Sequence, residues 1–246
     1  MKRAFSLIET VIAIGVLAVL LTGFMVVFAP AAAGIKKSIN AQEADRLTST
    51  LEQELVTLRP GEKSEPPPGD IATGFDKAYK WIEDSMKSTP EVIFVYQYRG
   101  DLSSKRGDDS PETYENASGG VPGKDYSVVS MARRRVDMKG GQDSNFEADL
   151  KALEGRVYAV KVKQLVFSGG QLVATAKQVI EDPTPGEPIN GTTPPISGKY
   201  PEAVIAFAAE FYSLPSSSYA YLKTGGKFDP SKLKNPVFTR NLAVRR

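Results

Sequence analysis

The stretch TVIAIGVLAVLLTGFMVVFAPAAAGI, residues 10–35, contains no charged side chain, and over residues 11–29 only Gly15, Thr22 and Gly23 interrupt the apolar run. About 20 apolar residues rising 1.5 Å each match a hydrocarbon core of roughly 30 Å, so this segment is long enough to cross a bilayer. A helix buried in a soluble core would carry a polar stripe, and none is present. An ordinary secretory signal is the rival reading, because Lys2 and Arg3 precede the run. Such a signal has an apolar region of about 7–15 residues that ends at a small-residue cleavage site. This run is longer and has Glu9 near its start, although Ala31, Ala32 and Ala33 imitate such a site. Positive charges are nearly balanced across the span, with Lys2 and Arg3 before it and Lys36, Lys37 and Arg46 after it. The short N-terminus and long C-terminal portion make export of the latter the simpler topology.

Beyond residue 35 the pattern becomes amphipathic. Ile35, Ile39, Leu47, Leu51, Leu55 and Leu58 recur at helical spacing, with Lys36, Lys37, Glu43, Asp45, Arg46, Glu52 and Glu54 on other faces. The spacing predicts one helix, half buried in its second part, that continues until Arg59-Pro60-Gly61 stops it. Counted from Phe5 it would run about 55 residues and some 80 Å. Pro30 cannot donate to the carbonyl of Val26, so a kink or local opening is expected there. Gly15, Gly23 and Gly34 lower the intrinsic stability of the same region.

Residues 61–70, with Pro66-Pro67-Pro68, read as a stiff linker. Phe75, Tyr79, Ile82 and Met86 then share a helical face around Trp81, predicting a second, shorter helix. Strands are expected over 91–99, 125–136, 156–167, 171–180 and 202–212, which are rich in Val, Ile, Phe and Tyr. Ser168-Gly169-Gly170 joins two of them as a hairpin. The order predicts an α+β fold, with an antiparallel sheet laid on the second half of the long helix. Residues 100–124 and 182–201 read as long loops, the latter holding six of the 17 prolines.

Composition narrows the chemistry. In 246 residues there is no Cys and no His, and 31 basic against 29 acidic side chains leave a formal net charge of +2. Disulfides, thiolate metal sites, cysteine nucleophiles and the usual neutral-pH general base are therefore absent. The charge balance gives no reason to expect nucleic acid as a partner. Residues 119–124 imitate a phosphate loop, but the glycine spacing is wrong and Asp125 stands where Ser or Thr belongs. Asp101, Asp108 and Asp109 could contribute to a calcium site, yet acidic residues in a charged loop are more often solvated. Arg133-Arg134-Arg135 alternate along a strand and are expected on solvated sheet faces. Neither a cofactor nor a metal is implied.

Ala4-Phe5-Ser6-Leu7-Ile8-Glu9, with the basic leader Met1-Lys2-Arg3 and the apolar residues 10–29, resemble the type IV prepilin signal shared by pilins and type II secretion pseudopilins. In that family a membrane peptidase cuts before the Phe and methylates the new amine, and the apolar segment stays as the assembly helix. The resemblance implies a cut between Ala4 and Phe5, with Ala4 standing where the family usually has Gly. Glu9 becomes the fifth residue of the mature chain. A carboxylate entering hydrocarbon normally finds a partner, and the amine of Phe5 lies about 6 Å away along a helix. The family's equivalent Glu is proposed to pair with the terminus of the adjoining subunit. The implied organisation is a leader (1–4), a transmembrane assembly helix (5–35), its amphipathic continuation (36–59) and an exported α+β domain (60–246) with a pilin-like fold.

The implied protein is no enzyme but a filament subunit, minor rather than major by its size and loops. It would be held in the bacterial inner membrane, with prepilin peptidase and other pilin-like subunits as partners. A membrane-tethered surface or tip module that binds DNA or another substrate is the alternative. A single-pass anchored enzyme is a third, and convergent carboxylates in a deep pocket would favour it.

Overall fold

Helix α1 (Leu7–Val56) runs for 50 residues and is unbroken through Pro30. The computed structural model describes residues 7–62, 71–114, 120–135, 143–183, 197–223 and 225–246. Ala4 and Phe5, the Pro66-Pro67-Pro68 linker and most of 182–201 lie outside them. The chain divides into two compact units, Met1–Gln42 and Glu43–Arg246, and α1 contributes to both.

In the second unit α1 ends at Val56, three residues before the expected stop, for reasons that lie in α2 (Gly74–Met86). The α2 residue Lys77 places its ammonium 2.8 Å from the Thr57 carbonyl, supplying a cation to the open end of α1. Gly74 lets the two helices touch, since a Cβ there would lie 2.2 Å from the Val56 carbonyl oxygen. A capping box opens α2: Thr73 accepts from the Asp76 N–H and its own N–H donates to the Asp76 carboxylate.

Seven strands follow: β1 (Ile93–Lys105), β2 (Pro111–Thr113), β3 (Ser127–Arg134), β4 (Leu153–Ser168), β5 (Gln171–Ala174), β6 (Val204–Ser213) and β7 (Phe238–Arg245). They form one sheet in the order β2-β1-β4-β6-β7, with β3 also on β1 and β5 on β4, and every strand pair is antiparallel. Ser168 pairs with Gln171 across Gly169 (φ 58°) and Gly170 (φ 81°), the two-residue turn that needs positive φ at both centres. Between β3 and β4 lies α3 (Asp143–Lys151), and after β6 the single-turn α4 (Tyr219–Leu222).

Each face of the sheet is covered by its own layer. On one face Ala44, Leu47, Leu51 and Leu55 of α1 and Phe75, Tyr79 and Ile82 of α2 pack with Ile93, Val95, Val160, Ile205 and Phe207. The 3- and 4-residue spacing of the α1 positions makes the apolar stripe that this face requires. On the other face Phe146 of α3 stacks on Phe94 with ring centres 5.5 Å apart, and Leu222 and Phe228 complete the layer. This is an α+β architecture, a long N-terminal helix with an antiparallel sheet.

Several expectations need correction. Residues 100–124 are not one loop: β1 continues to Lys105 and pairs with β2. The stretch 171–180 is strand only as far as Ala174. Helix α3 and strand β7 are additions to the expected elements. The apolar stripe of α1 is exposed at Ile35 and Ile39 and buried from Ala44 onward.

Arg133 and Arg134 do alternate between faces, opposite Phe94 and Ile93, but neither is solvated. Arg133 donates to Asp108 at 3.0 Å, and Arg134 donates to Asp84 at 2.9 Å while lying over the Trp81 ring. Arginine beside a partly buried carboxylate makes a strong, directional pair, and that gain overrides the exposure that alternation alone suggests.

Candidate functional site

The segment singled out by the sequence forms the first part of α1, with Glu9 in its first turn. Leu7, Ile8, Val11, Ile12, Ile14, Val16, Leu17 and their successors as far as Phe28 are all more than half exposed. They lie at every helical angle, so the surface is apolar all round rather than striped. By length and composition this is a helix able to cross a membrane, and none of its most apolar window is buried within the chain.

Three details fit such an environment. Thr22 donates its hydroxyl to the Ala18 carbonyl at 2.8 Å, which satisfies the only hydroxyl of residues 11–29 inside the helix. Phe24 and Phe28 stack at 3.8 Å on one side. Around Gly15, Gly23 and Gly34 an added Cβ would meet nothing within 4 Å, so the chain itself leaves these positions open to a neighbour. Pro30 sits inside the helix, leaving the Val26 carbonyl without its usual donor. Among the described residues Glu9 makes no hydrogen bond or ion pair. The site's chemistry therefore rests on one carboxylate in an apolar helix, with Phe5 and its neighbour Ala4 outside the described residues.

In the second unit, a cavity of about 260 Å³ is lined by Arg59, Glu62, Trp81, Asp108, Arg133 and Arg134. Its two carboxylates are both engaged. Glu62 accepts from Lys77 at 2.9 Å, and Asp108 accepts from Arg133 and from the Ser110 backbone N–H at 3.0 Å. Burial would raise the Asp108 carboxyl, but the Ser110 hydrogen bonds and the Arg133 charge outweigh it and hold the group below the usual carboxylate range. The stability it contributes is therefore present above its ordinary value and lost as the pH falls below it. Asp101 bonds Ser103, and Asp109 occupies a left-handed turn position with φ 60°. Among the described residues no group of three or more carboxylates is gathered as a metal site would need.

The ion pairs of Lys77 were not visible in sequence, because they join α2 to residues 15 and 23 positions earlier in the chain. Lys77, fully buried, holds Glu54 at 2.8 Å as well as Glu62, while Glu54 also takes Arg59 at 2.6 Å. No family model, curated protein or solved structure matches the chain.

Proposed function

We propose that the chain is a structural subunit of a type IV pilus-like or type II secretion pseudopilus filament, anchored in the bacterial inner membrane before assembly. The observation that carries this reading is Glu9: one carboxylate in the first turn of an exposed, apolar helix start, with no hydrogen bond or ion pair among the described residues. A lone carboxylate in hydrocarbon is costly, so Glu9 calls for a cation close by. The terminal amine of a second copy, freed by cleavage between Ala4 and Phe5, meets that need. The remaining support is the single helix that is apolar and exposed at its start and forms part of a domain core at its end. The fold would then be pilin-like, and the exported part would lie in the periplasm or on a surface filament.

Replacing Glu9 with Ala leaves membrane insertion intact or slightly improves it, since a carboxylate is removed from the apolar segment. Filament incorporation should fall at least about tenfold, equivalent to 1.4 kcal/mol of lost pairing. Incorporation of Glu9→Ala at the wild-type level would remove the docking role. Processing is checked separately by intact mass and terminal sequencing of membrane-extracted protein. The expected product starts at a methylated Phe5, and a terminus within residues 31–34 would mean an ordinary signal peptide. A membrane-tethered binding module uses the same anchor without the pairing, and would keep its activity in the Glu9→Ala variant.

A further inference from the structure

The apolar cover on the second face of the sheet stops partway along β4. Val157 and Ala159 on that face are buried beneath the layer that holds Phe146 and Leu222, and the next two residues of the same face are Lys161 and Lys163. Strand β4 pairs with β1 as far as Val160, and at Lys161 and Lys163 it pairs with β6. Two like charges about 7 Å apart on one face of a strand repel each other and pack poorly, so packing gives no reason for them.

Three more lysines converge on the same place from other elements. Lys87 follows the end of α2, Lys177 lies in the turn after β5, and Lys234 lies in the segment before β7. With Lys161 and Lys163 they line a groove of about 570 Å³ whose one carboxylate among the described residues is Glu210. Glu210 is already used at both oxygens: Lys163 approaches one at 3.1 Å and the Tyr212 hydroxyl donates to the other at 2.7 Å. Lys87 and Lys177 have Asp84 and Glu181 as partners. Lys161 has no carboxylate at ion-pair distance among the described residues. It rests over the Tyr212 ring at 5.5 Å and donates to the Leu233 carbonyl at 3.3 Å. Lys234 likewise has no carboxylate at ion-pair distance among the described residues, and it is exposed. Burial, with Lys163 adding repulsion against the pull of Glu210 and Asp229, holds the Lys161 ammonium below the usual lysine range.

We propose that this groove binds a compact, multiply charged phosphate group, with Lys161 and Lys234 as its principal cations. Lysine serves phosphate as a point charge, and ammoniums arriving from several directions suit a tetrahedral oxyanion better than a planar carboxylate. Ser88 and Gln178 line the same groove and add neutral donors. A nucleic-acid strand fits less well, because the groove's aromatic ring, Tyr212, is 5% exposed and offers no stacking platform. The site does not depend on the filament reading.

The test uses the full chain in nanodiscs of neutral phosphatidylcholine, titrated calorimetrically with inorganic tripolyphosphate at low salt. Saturable binding is expected, weakening as sodium chloride rises. Lys161→Gln and Lys234→Gln should each weaken it about five- to tenfold. Lys232→Gln, whose side chain is 81% exposed and pairs with Asp229 outside the groove, should leave it unchanged. Because Lys234 is exposed, its variant keeps the test valid even if Lys161→Gln perturbs folding. Repeating the titration in nanodiscs that contain phosphatidic acid, whose monoester phosphate can carry a second charge, separates the sources. Competition by that lipid assigns the groove to a headgroup, and unchanged binding assigns it to a soluble phosphate compound. Absence of binding in neutral nanodiscs, or equal weakening by Lys232→Gln, overturns the proposal. So does an oligonucleotide that binds more tightly than tripolyphosphate through the same lysines.

Discussion

A fragment that begins at Gly61 is expected to expose its sheet and aggregate, whereas one that begins at Ile35 should be soluble and unfold cooperatively. The shorter fragment lacks Ala44, Leu47, Leu51 and Leu55, none of which is more than 1% exposed. Truncating one buried leucine to alanine costs about 2–5 kcal/mol, and three are removed here together with their backbone. That sum is comparable to the whole stability of a domain, about 5–15 kcal/mol. The loss is not only apolar. Glu43 receives the Tyr158 hydroxyl at 2.9 Å and the Arg156 N–H at 3.2 Å, and Glu54 receives the buried Lys77. Without α1 the Lys77 ammonium keeps only Glu62, itself beside the new terminus, and a buried cation left short of partners is severely destabilising. Size-exclusion chromatography and thermal melts decide the matter. If the fragment starting at Gly61 stayed monomeric with an unchanged melting temperature, α1 would be a stalk outside the domain core, and a tethered module would be favoured over a filament subunit.

The same leucines show what can be read from the chain alone. Their spacing, like that of Phe75, Tyr79 and Ile82, repeats locally, so a helix and its buried face follow without knowledge of what covers them. The hairpin at Gly169 and Gly170 is equally local, since the turn needs two residues at positive φ and the chain supplies two glycines. Strand β7 offers no such signal. Its sequence FTRNLAVR exposes Thr239, Arg240, Asn241, Ala243 and Arg245, and it exists because eight residues pair with β6. Likewise residues 101–105 are polar apart from Leu102 and look like loop, yet β2 recruits them as a strand. Helix α3 is nine residues long and owes its place to Phe146 and Asp149, whose partners are remote in sequence.

The functional residues divide along the same line. Glu9 could be picked out because a carboxylate within an apolar run is conspicuous, and because the residues around it resemble a known signal. The lysine groove could not be. Its five cations are spread from residue 87 to residue 234, each unremarkable in its own segment, and only the pairing of β4 with β6 sets Lys161 opposite Glu210.

Asp149→Asn is expected to cost about 3–5 kcal/mol, the range for removing one partner of a buried charge pair. At about 2–4 °C of melting temperature per kcal/mol for a domain of this size, the fall should be about 6–20 °C. Asp149 is fully buried and binds four groups: the Tyr96 hydroxyl at 2.7 Å, Arg106 at 2.7 Å, Thr113 at 3.1 Å and, more distantly, Arg133 at 3.8 Å. Asn has nearly the same shape, so the packing of α3 is retained and the change isolates the charge. The cluster has no spare acceptor to compensate, because Nη1 of Arg106 and Nε of Arg133 are already buried without a hydrogen bond among the described residues. Arg106 would lose its one carboxylate among the described residues, whereas Arg133 would keep Asp108. Glu147→Gln on the same helix is the control, since its pair with Lys151 is exposed and contributes at most about 0.5 kcal/mol. A thermal melt of Asp149→Asn within a degree of wild type would show that Phe146 stacking alone anchors α3. A large fall that Arg106→Met partly reverses in the double variant would instead locate the cost in the stranded guanidinium, because a buried pair replaced on both sides by neutral groups can be nearly neutral.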